Sequence, residues 1–377
     1  MPSTKRGKPY LSPSLFEEIT ELENFEKAYK QTQKGKGKYK TECILFNKDA
    51  VYNLERLRQS VITGSYRFSG YNRFTVYEPK ERVVDAPGLK DKIVQIAINN
   101  VLKSVYHPKF IHDSYSCIDN KGTHKCVDRV SYFMRKASWE YGEDAQIIEI
   151  DIKKFFYSIN RDTLKLMLPK RISCARTLNL LYTIIDSADV IALLGLPLGN
   201  TLSQIGANIY MNEVDQHCKR KLGLRYYIRY ADDVLIIVKS KERAKTIMQG
   251  VTSFISERLD LAVNENKTQI FPLEQGVNTV GFKIHKTHRL LRNESKKKMK
   301  RKAKKLRRLL VDRRIEPEKV EQMFNSWLGH AKHGCSHNFL RKLVDKYDYL
   351  FLTNKGIIKV DLNPILKERE RLVIPKE

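Results

Sequence analysis

The sequence predicts an α+β fold in which an antiparallel sheet is backed by helices, and three observations carry that prediction. Residues 224–238, LRYYIRYADDVLIIV, place apolar runs on both sides of Tyr230-Ala231-Asp232-Asp233, the pattern of a strand, a tight turn and a second strand. Upstream, the β-rich run Ile147, Ile148, Ile150 ends at Asp151 and is followed by Phe155 and Phe156. Around these strands, apolar residues recur at helical spacing, as at Ile93, Val94, Ala97, Ile98, Val101 and Leu102 within residues 89–105.

Adjacent Asp232 and Asp233 at the tip of a hydrophobic hairpin are costly to desolvate unless a cation lies against them, and a divalent ion is the usual partner. Asp151 supplies the third carboxylate. One aspartate at a strand end and one or two on a neighbouring hairpin is the arrangement that holds two Mg²⁺ ions for in-line phosphoryl transfer.

The chain has 377 residues, enough for several subdomains, and a formal net charge of +27 from 70 Lys plus Arg against 43 Asp plus Glu. So large an excess points to a polyanion, with nucleic acid favoured over an anionic membrane. No stretch approaches the roughly 18 apolar residues of a span, and MPSTKRGKPY lacks an apolar signal core, so a cytoplasmic protein is expected. The six cysteines, Cys43, Cys117, Cys126, Cys174, Cys218 and Cys335, contain no C-x-x-C pair and outline no zinc or disulfide framework.

In chain order, Phe16, Ile19, Leu22 and Phe25 predict one amphipathic helix over residues 16–28. The run KGKGKYK reads either as a flexible linker or as a nucleic-acid contact. Val51, Leu54, Leu57 and Val61 predict a helix over 49–62 that ends at Gly64. Residues 73–85 predict a hairpin turning at Glu78-Pro79-Lys80-Glu81, with Lys80 and Arg82 near its tip, where two cations suit a triphosphate. Gln95, on the following helix, is expected at the surface, and residues 110–130 form a loop ahead of another helix whose N-terminus suits a phosphate. Phe156, five residues after Asp151, puts a ring where a nucleotide sugar would sit and where a 2′-hydroxyl would clash. Residues 195–204, GLPLGNTLSQ, give a glycine-containing turn into a helix with Ser203 in its cap region, a turn that lets backbone approach a nucleotide or template strand.

The order of the Arg82 hairpin, DIKKFFYSI, LPLGNTLSQ, RYADD, VNENKTQI and TVGFKI resembles the successive motifs of a bacterial reverse transcriptase over about residues 73–284. The resemblance implies a right-hand polymerase: an N-terminal basic extension (1–48), fingers (49–145), a palm with the YxDD hairpin (146–290), a helical thumb (291–352) and a tail (353–377). It implies that Asp151 and Asp232 bind two Mg²⁺ ions, for which Mn²⁺ can substitute, with Asp233 close by and Ile152 in the metal-binding set. Lys80, Arg82, Phe156, Leu198, Gly199 and Lys267 would meet the dNTP, Phe156 as the gate against ribonucleotides and Lys267 as a proton donor to pyrophosphate. Ser203, Gln204, Tyr230 and the primer-grip pair Gly281-Phe282 would meet template and primer.

One departure narrows the resemblance. Most of the family reads PQGxxxSP where this chain reads PLGNTLSQ, with Leu198 and Gln204 at the changed positions. That variant, with DSYSCIDNKGTHKCV and FNSWLGHAKHGCSHN, is similar to the enzymes of diversity-generating retroelements, which copy a template RNA with errors opposite adenine and work with a small basic accessory protein. Loss of the Gln side chain would relax the policing of nucleotide geometry. Ala231 in YADD is instead common in retron, group II intron and defence-associated enzymes, and a defence-associated (antiphage) or retron-like enzyme would copy a dedicated non-coding RNA. An RNA-dependent RNA polymerase shares the carboxylates, but Phe156 argues against it, and three intact aspartates argue against a non-catalytic RNA-binding scaffold.

Residues 292–308 hold eleven Lys or Arg in seventeen, with Met299, Ala303, Leu306 and Leu310 at helical spacing. Such density on an amphipathic helix favours contact with the phosphate backbone, through Lys297, Lys300, Arg301 and Lys304. Trp327 and Leu328 are expected to pack the thumb core. His330, His333, Cys335 and His337 lack the spacing of a structural zinc site.

Overall fold

A break at Glu21 shapes the start of the chain. The computed structural model describes residues 15–34, 38–77, 81–187 and 194–346, with the backbone of 352–353 and 356–357. In it the helix expected over 16–28 is two helices, α1 (Leu15–Thr20) and α2 (Leu22–Thr32). The Thr20 hydroxyl bonds back to the Phe16 carbonyl at 2.8 Å, and Glu21 takes ψ 137°, which ends the first helix. The bend carries Leu15, Phe16, Ile19, Phe25 and Ala28 into the core. Next come α3 (Thr41–Asn47) and α4 (Ala50–Ile62), the latter capped by Asp49, whose carboxylate accepts from the Tyr52 amide.

The expected hairpin forms from β1 (Tyr71–Val76) and β2 (Arg82–Pro87), with Val76 opposite Arg82. Lys80, at its tip, lies outside the described residues. Helix α5 (Leu89–Tyr106) matches the expected span, yet Gln95 is fully buried and not at the surface. The reason is that α1 and α2 pack on α5 from one side and the helix 201–216 from another, leaving it little solvent face.

After α6 (Thr123–Tyr141) the chain enters its main sheet through β3 (Gln146–Ile150). Helices α7 (Phe155–Ser158), α8 (Arg161–Met167), α9 (Ala175–Ile185) and α10 (Thr201–Gln216) follow, then β4 (Tyr226–Tyr230), β5 (Asp233–Val238), α11 (Lys241–Leu259) and β6 (Gln269–Pro272). The strands order as β4-β5-β3-β6, every neighbour antiparallel. Because side chains alternate across a sheet, the two faces feed different cores. Ile148, Ile150, Tyr227, Ile236 and Val238 join the core that holds the buried residues of α10 and α11. Ile147, Tyr226, Ile228, Leu235 and Ile237 join that of α6. Both faces are thus covered, and the hairpin carrying the aspartates is held from above and below.

A small sheet, β7 (Val277–Thr279), β8 (Phe282–Ile284) and β9 (Arg289–Leu291), leads into α12 (Asn293–Val311), α13 (Pro317–Ala331) and α14 (His337–Lys346). Met299, Ala303 and Leu306 of α12 bury against Val320, Phe324 and Leu343, while Lys297, Lys300, Arg301 and Lys304 are exposed. All six cysteines are free thiols. Among the described residues no helix is long and apolar enough to cross a membrane.

The β1–β2 hairpin is tied to the turn before α10. The Asp85 amide donates to the Leu198 carbonyl at 2.7 Å, and a Cβ on Gly199 would meet Val84 Cγ1 at 2.9 Å and the Asp85 carbonyl at 3.0 Å. With φ at +108° as well, Gly199 has two reasons to be glycine. G199A should cost about 1–3 kcal/mol in urea-monitored unfolding, through overpacking and backbone strain; an unchanged stability would mean that the hairpin does not dock there.

Candidate active site

Register places the acids together. Ile150 pairs with Val234 across β3 and β5, so Asp151 and Asp233, one residue beyond, lie opposite each other. Tyr230 pairs with Asp233 to close the turn, in which Ala231 takes the left-handed φ of 56°. For a residue with a Cβ that conformation costs about 1–2 kcal/mol and persists only where the surroundings enforce it. Asp151 is buried, at 6% exposure, with Asp232 half-buried and Asp233 open to the cleft.

The crowding shows in the electrostatics. Desolvation raises the Asp232 carboxyl above its ordinary value, with the Asp151 charge adding to it. Asp233 is pushed up to about 7, first by desolvation, then by the Asp232 charge and a hydrogen bond with Asp151. Since Asp233 keeps an accessible face, the repulsion among the three acids is the firmer of these causes. Two groups offset it at Asp151. Lys267 Nζ donates to Oδ1 at 2.6 Å and Asn264 Nδ2 to Oδ2 at 2.9 Å, while the Asn264 amide donates to the Asp151 carbonyl at 2.7 Å.

Beneath the turn lies a network that the sequence reading missed. Arg229 and Asp215, both fully buried, form a bidentate pair at 2.8 and 2.7 Å, and Tyr227 donates to the same carboxylate at 2.6 Å. The signal was present: Arg229 stands two residues from Tyr227 on one face of a strand otherwise apolar, and a buried arginine demands an acid. Nothing in the spacing pointed to Asp215 as that acid.

A second wall converges from three segments. The Phe156 carbonyl accepts from the Leu196 amide at 2.7 Å, and its ring packs edge-on against buried Phe155 at 5.3 Å. Of the two rings, Phe155 is core and Phe156 is half-buried. Tyr157 donates to the Val83 carbonyl at 3.2 Å, bringing β2 over this wall. Arg82, exposed on that strand, is near enough for its charge to act on Asp232. Backbone and side-chain bonds thus join the segments of Arg82, Phe156, Leu198 and Gly199, with Arg82 the member whose charge reaches Asp232.

Residues 78–284 match the reverse transcriptase (RNA-dependent DNA polymerase) family. The chain belongs to that family. It is 26% identical to Protein YkfC of Escherichia coli over 285 residues, covering 64% of this chain and 72% of that protein. It is 23% identical to the group II intron-encoded protein LtrA of Lactococcus lactis over 302 residues, covering 61% of this chain but 49% of LtrA, so it spans about half the length of that relative. Among solved structures, a Candida albicans telomerase in complex with a TWJ fragment of telomeric RNA aligns with a TM-score of 0.49 at 13% identity, covering 82% of this chain and 58% of that one. The family match and the helix-backed antiparallel sheet bear out the α+β polymerase fold expected from the sequence.

On the other side of the aspartate turn, the reverse transcriptase brings Tyr230 to a cleft with Lys121, Thr123, His124, Lys125, Val280 and His330. Thr123 and Tyr230 share a hydrogen bond at 3.2 Å. The β7–β8 turn bends through Val280 and Gly281, both at positive φ, with His330 behind the glycine. Phe282 is fully buried and packs on His330 at 4.6 Å, so its ring anchors this turn and is not free to touch a primer. Ser203 is likewise buried, and Asn200 is the cap of α10, accepting from the Leu202 amide at 2.8 Å, because the chain turns into the helix three residues earlier than a Ser203 cap would need. Gln204 faces outward into a polar cleft with Lys34 and Lys103. His124 stacks on His333 with ring centroids 3.6 Å apart.

The donor chemistry at the palm turn suits Mg²⁺: oxygen donors alone, crowded until their charges oppose one another. Asp151 and Asp232 would hold it, with Asp233 beside them and Ile152, itself buried, offering only its backbone carbonyl. With Lys267 on Asp151, no three of the described His, Cys, Asp and Glu side chains already converge as a metal cage, at the palm turn or at His330 and its neighbours. An ion bound at Asp151 would compete with Lys267 for Oδ1.

Because the folded value of Asp233 lies above its ordinary 3.8, its proton stabilises the fold fully below about that pH, and the stabilisation is lost as pH rises through about 7. Metal-free D233N should be more stable than the parent at pH 8, by about 1 kcal/mol after allowance for solvent screening. The gap should close toward pH 4 in chelator-treated urea titrations; a gap independent of pH would refute the placement of the charge.

Proposed function

We propose that this reverse transcriptase extends a primer 3′-hydroxyl with deoxynucleotides on an RNA template, using the cleft between Arg82, Phe156 and the three aspartates. The observation that carries the reading is the convergence of Asp151, Asp232 and Asp233 at one strand end beside Lys267. Bound Mg²⁺, or Mn²⁺ in its place, would supply Lewis-acid stabilisation of the transferring phosphoryl group. The protein's own share is positioning. Asp151 and Asp232 hold their carboxylates on rigid strands, and Arg82 places a guanidinium where triphosphate oxygens arrive. Lys80 belongs to the same expected clamp. Lys267, released from Asp151, holds a proton within reach of the departing pyrophosphate. The Phe156 ring narrows the space beside the sugar, and the exposed cations of α12 follow the phosphates of an RNA–cDNA duplex.

Within the family, Leu198 in PLGNTLSQ supports an error-prone enzyme of the diversity-generating type, working with a small basic accessory protein. Leu198 stands half-buried on the nucleotide wall, where an aliphatic side chain offers no hydrogen bond to police pairing. A second reading, a defence-associated or retron-like enzyme that copies a dedicated non-coding RNA, is favoured by Ala231.

D151N and D232N should each lower cDNA synthesis at least about 1,000-fold while thermal unfolding and RNA binding stay near the parent's. Synthesis retained by either variant would sink the assignment. F156A should admit ribonucleotides, read as the ratio of rNTP to dNTP incorporation, and an unchanged ratio would remove the gate. Sequencing cDNA made from co-purified RNA separates the two subtypes: substitutions opposite adenine support the diversity-generating reading, and faithful or repetitive cDNA supports the other.

A further inference from the structure

We infer that Arg229 is a positioning residue for nucleotide addition: its guanidinium fixes the catalytic turn by holding the Ala231 carbonyl, and Asp215, Tyr227 and Asn208 fix the guanidinium. The inference rests on the polymerase reading above and extends it to groups that touch neither nucleotide nor metal.

The geometry divides the arginine's donors between two tasks. Nε and one terminal nitrogen are spent on Asp215, at 2.8 and 2.7 Å. The other terminal nitrogen donates to the Asn208 side-chain carbonyl at 3.1 Å and to the Ala231 carbonyl at 2.9 Å. Neutralising a buried charge needs only the first task. The bond to Ala231 falls on the residue that carries the left-handed φ of 56° and immediately precedes Asp232. The orientation of the 231–232 peptide sets where the Asp232 carboxylate points, and nothing in alanine's own preferences favours that conformation. A carbonyl tied to a planar fork has one direction, whereas a freed one lets the turn relax.

The anchor is itself immobile. The Arg229 amide donates to the Asp113 carbonyl at 2.9 Å and its carbonyl accepts from the Tyr115 amide at 3.0 Å, so both backbone groups are committed along the outer edge of β4. Asn208 Nδ2 donates to the Ser116 carbonyl at 2.9 Å, and Tyr227 donates to Asp215 at 2.6 Å. Helix α10, strand β4 and the 113–116 segment therefore meet in one fully buried clamp whose free end is the turn. A buried ion pair contributes little net stability compared with apolar residues of similar volume, so a positional task is a better account of it than stability.

Two variants test this. R229K keeps a charge for Asp215 but loses the fork, and R229M/D215L removes both charges and restores apolar packing. Each should show a metal-free melting temperature near the parent's, a turnover number for dNTP addition lowered about 10- to 100-fold, and a KM for template–primer within about twofold. The rise in melting temperature produced by Mn²⁺ alone should fall by at least about half in both. Should R229M/D215L fail to fold, R229K decides. A folded variant whose turnover and Mn²⁺ response both match the parent's overturns the inference. If the parent itself makes no cDNA, the polymerase reading is what fails, and the Mn²⁺ response still decides whether Arg229 sets the turn.

Discussion

Three carboxylates forced against one another at the end of a β-ladder are the constraint on which the rest of the structure depends. Left to itself, the turn would relax to separate Asp151, Asp232 and Asp233, because each charge raises the cost of the next. The protein opposes that relaxation with stiffness and with local counter-charge. Stiffness comes from a four-stranded antiparallel sheet packed on both faces, in which a slip of one residue would turn Asp151 away from Asp233 and every core side chain with it. Counter-charge comes from Lys267 on Asp151, while Arg229 under the turn secures its backbone.

The same sheet end organises the surrounding walls without contributing them. The wall that carries Arg82 and Phe156 is assembled from the β1–β2 hairpin, the short α7 and the turn before α10. It is stitched by backbone bonds, Asp85 to Leu198 and Leu196 to Phe156, so that its spacing does not depend on side-chain rotamers. On the other side of the aspartates, Phe282 packs on His330 of α13 and so braces the β7–β8 turn, which makes the cleft beside Tyr230 a joint property of α6, that turn and α13. A site built this way has rigid parts drawn from distant stretches of sequence, as positioning chemistry requires.

Much of this was legible in the sequence, for reasons that can be named. The YADD hairpin and the Asp151 strand showed because near-continuous apolar runs abut acids abruptly, and α12 showed because its cations leave an apolar stripe at Met299, Ala303 and Leu306. Pattern failed where tertiary packing overrode local preference. Gln95 looked solvent-facing because a polar residue on an amphipathic helix usually is, yet α5 is enclosed on several sides. The break at Glu21 hid behind continuous helical spacing, since the Thr20 back-bond that ends α1 leaves no mark on periodicity. Asn264 was passed over in favour of its neighbour Lys267, though both hold Asp151. Asp215 could not be found from its spacing at all, because its partner Arg229 lies on a different element and only the fold brings them together.

Whether the three carboxylates form a metal site is tested by anomalous diffraction from crystals of the protein grown with Mn²⁺, an RNA–DNA template–primer and a non-hydrolysable dNTP. Mn²⁺ peaks are expected between the carboxylates of Asp151 and Asp232, with Lys267 displaced from Asp151 and the Ala231 carbonyl still held by Arg229. Peaks located elsewhere, or Asp151 still bonded to Lys267 with the nucleotide bound, would contradict that expectation.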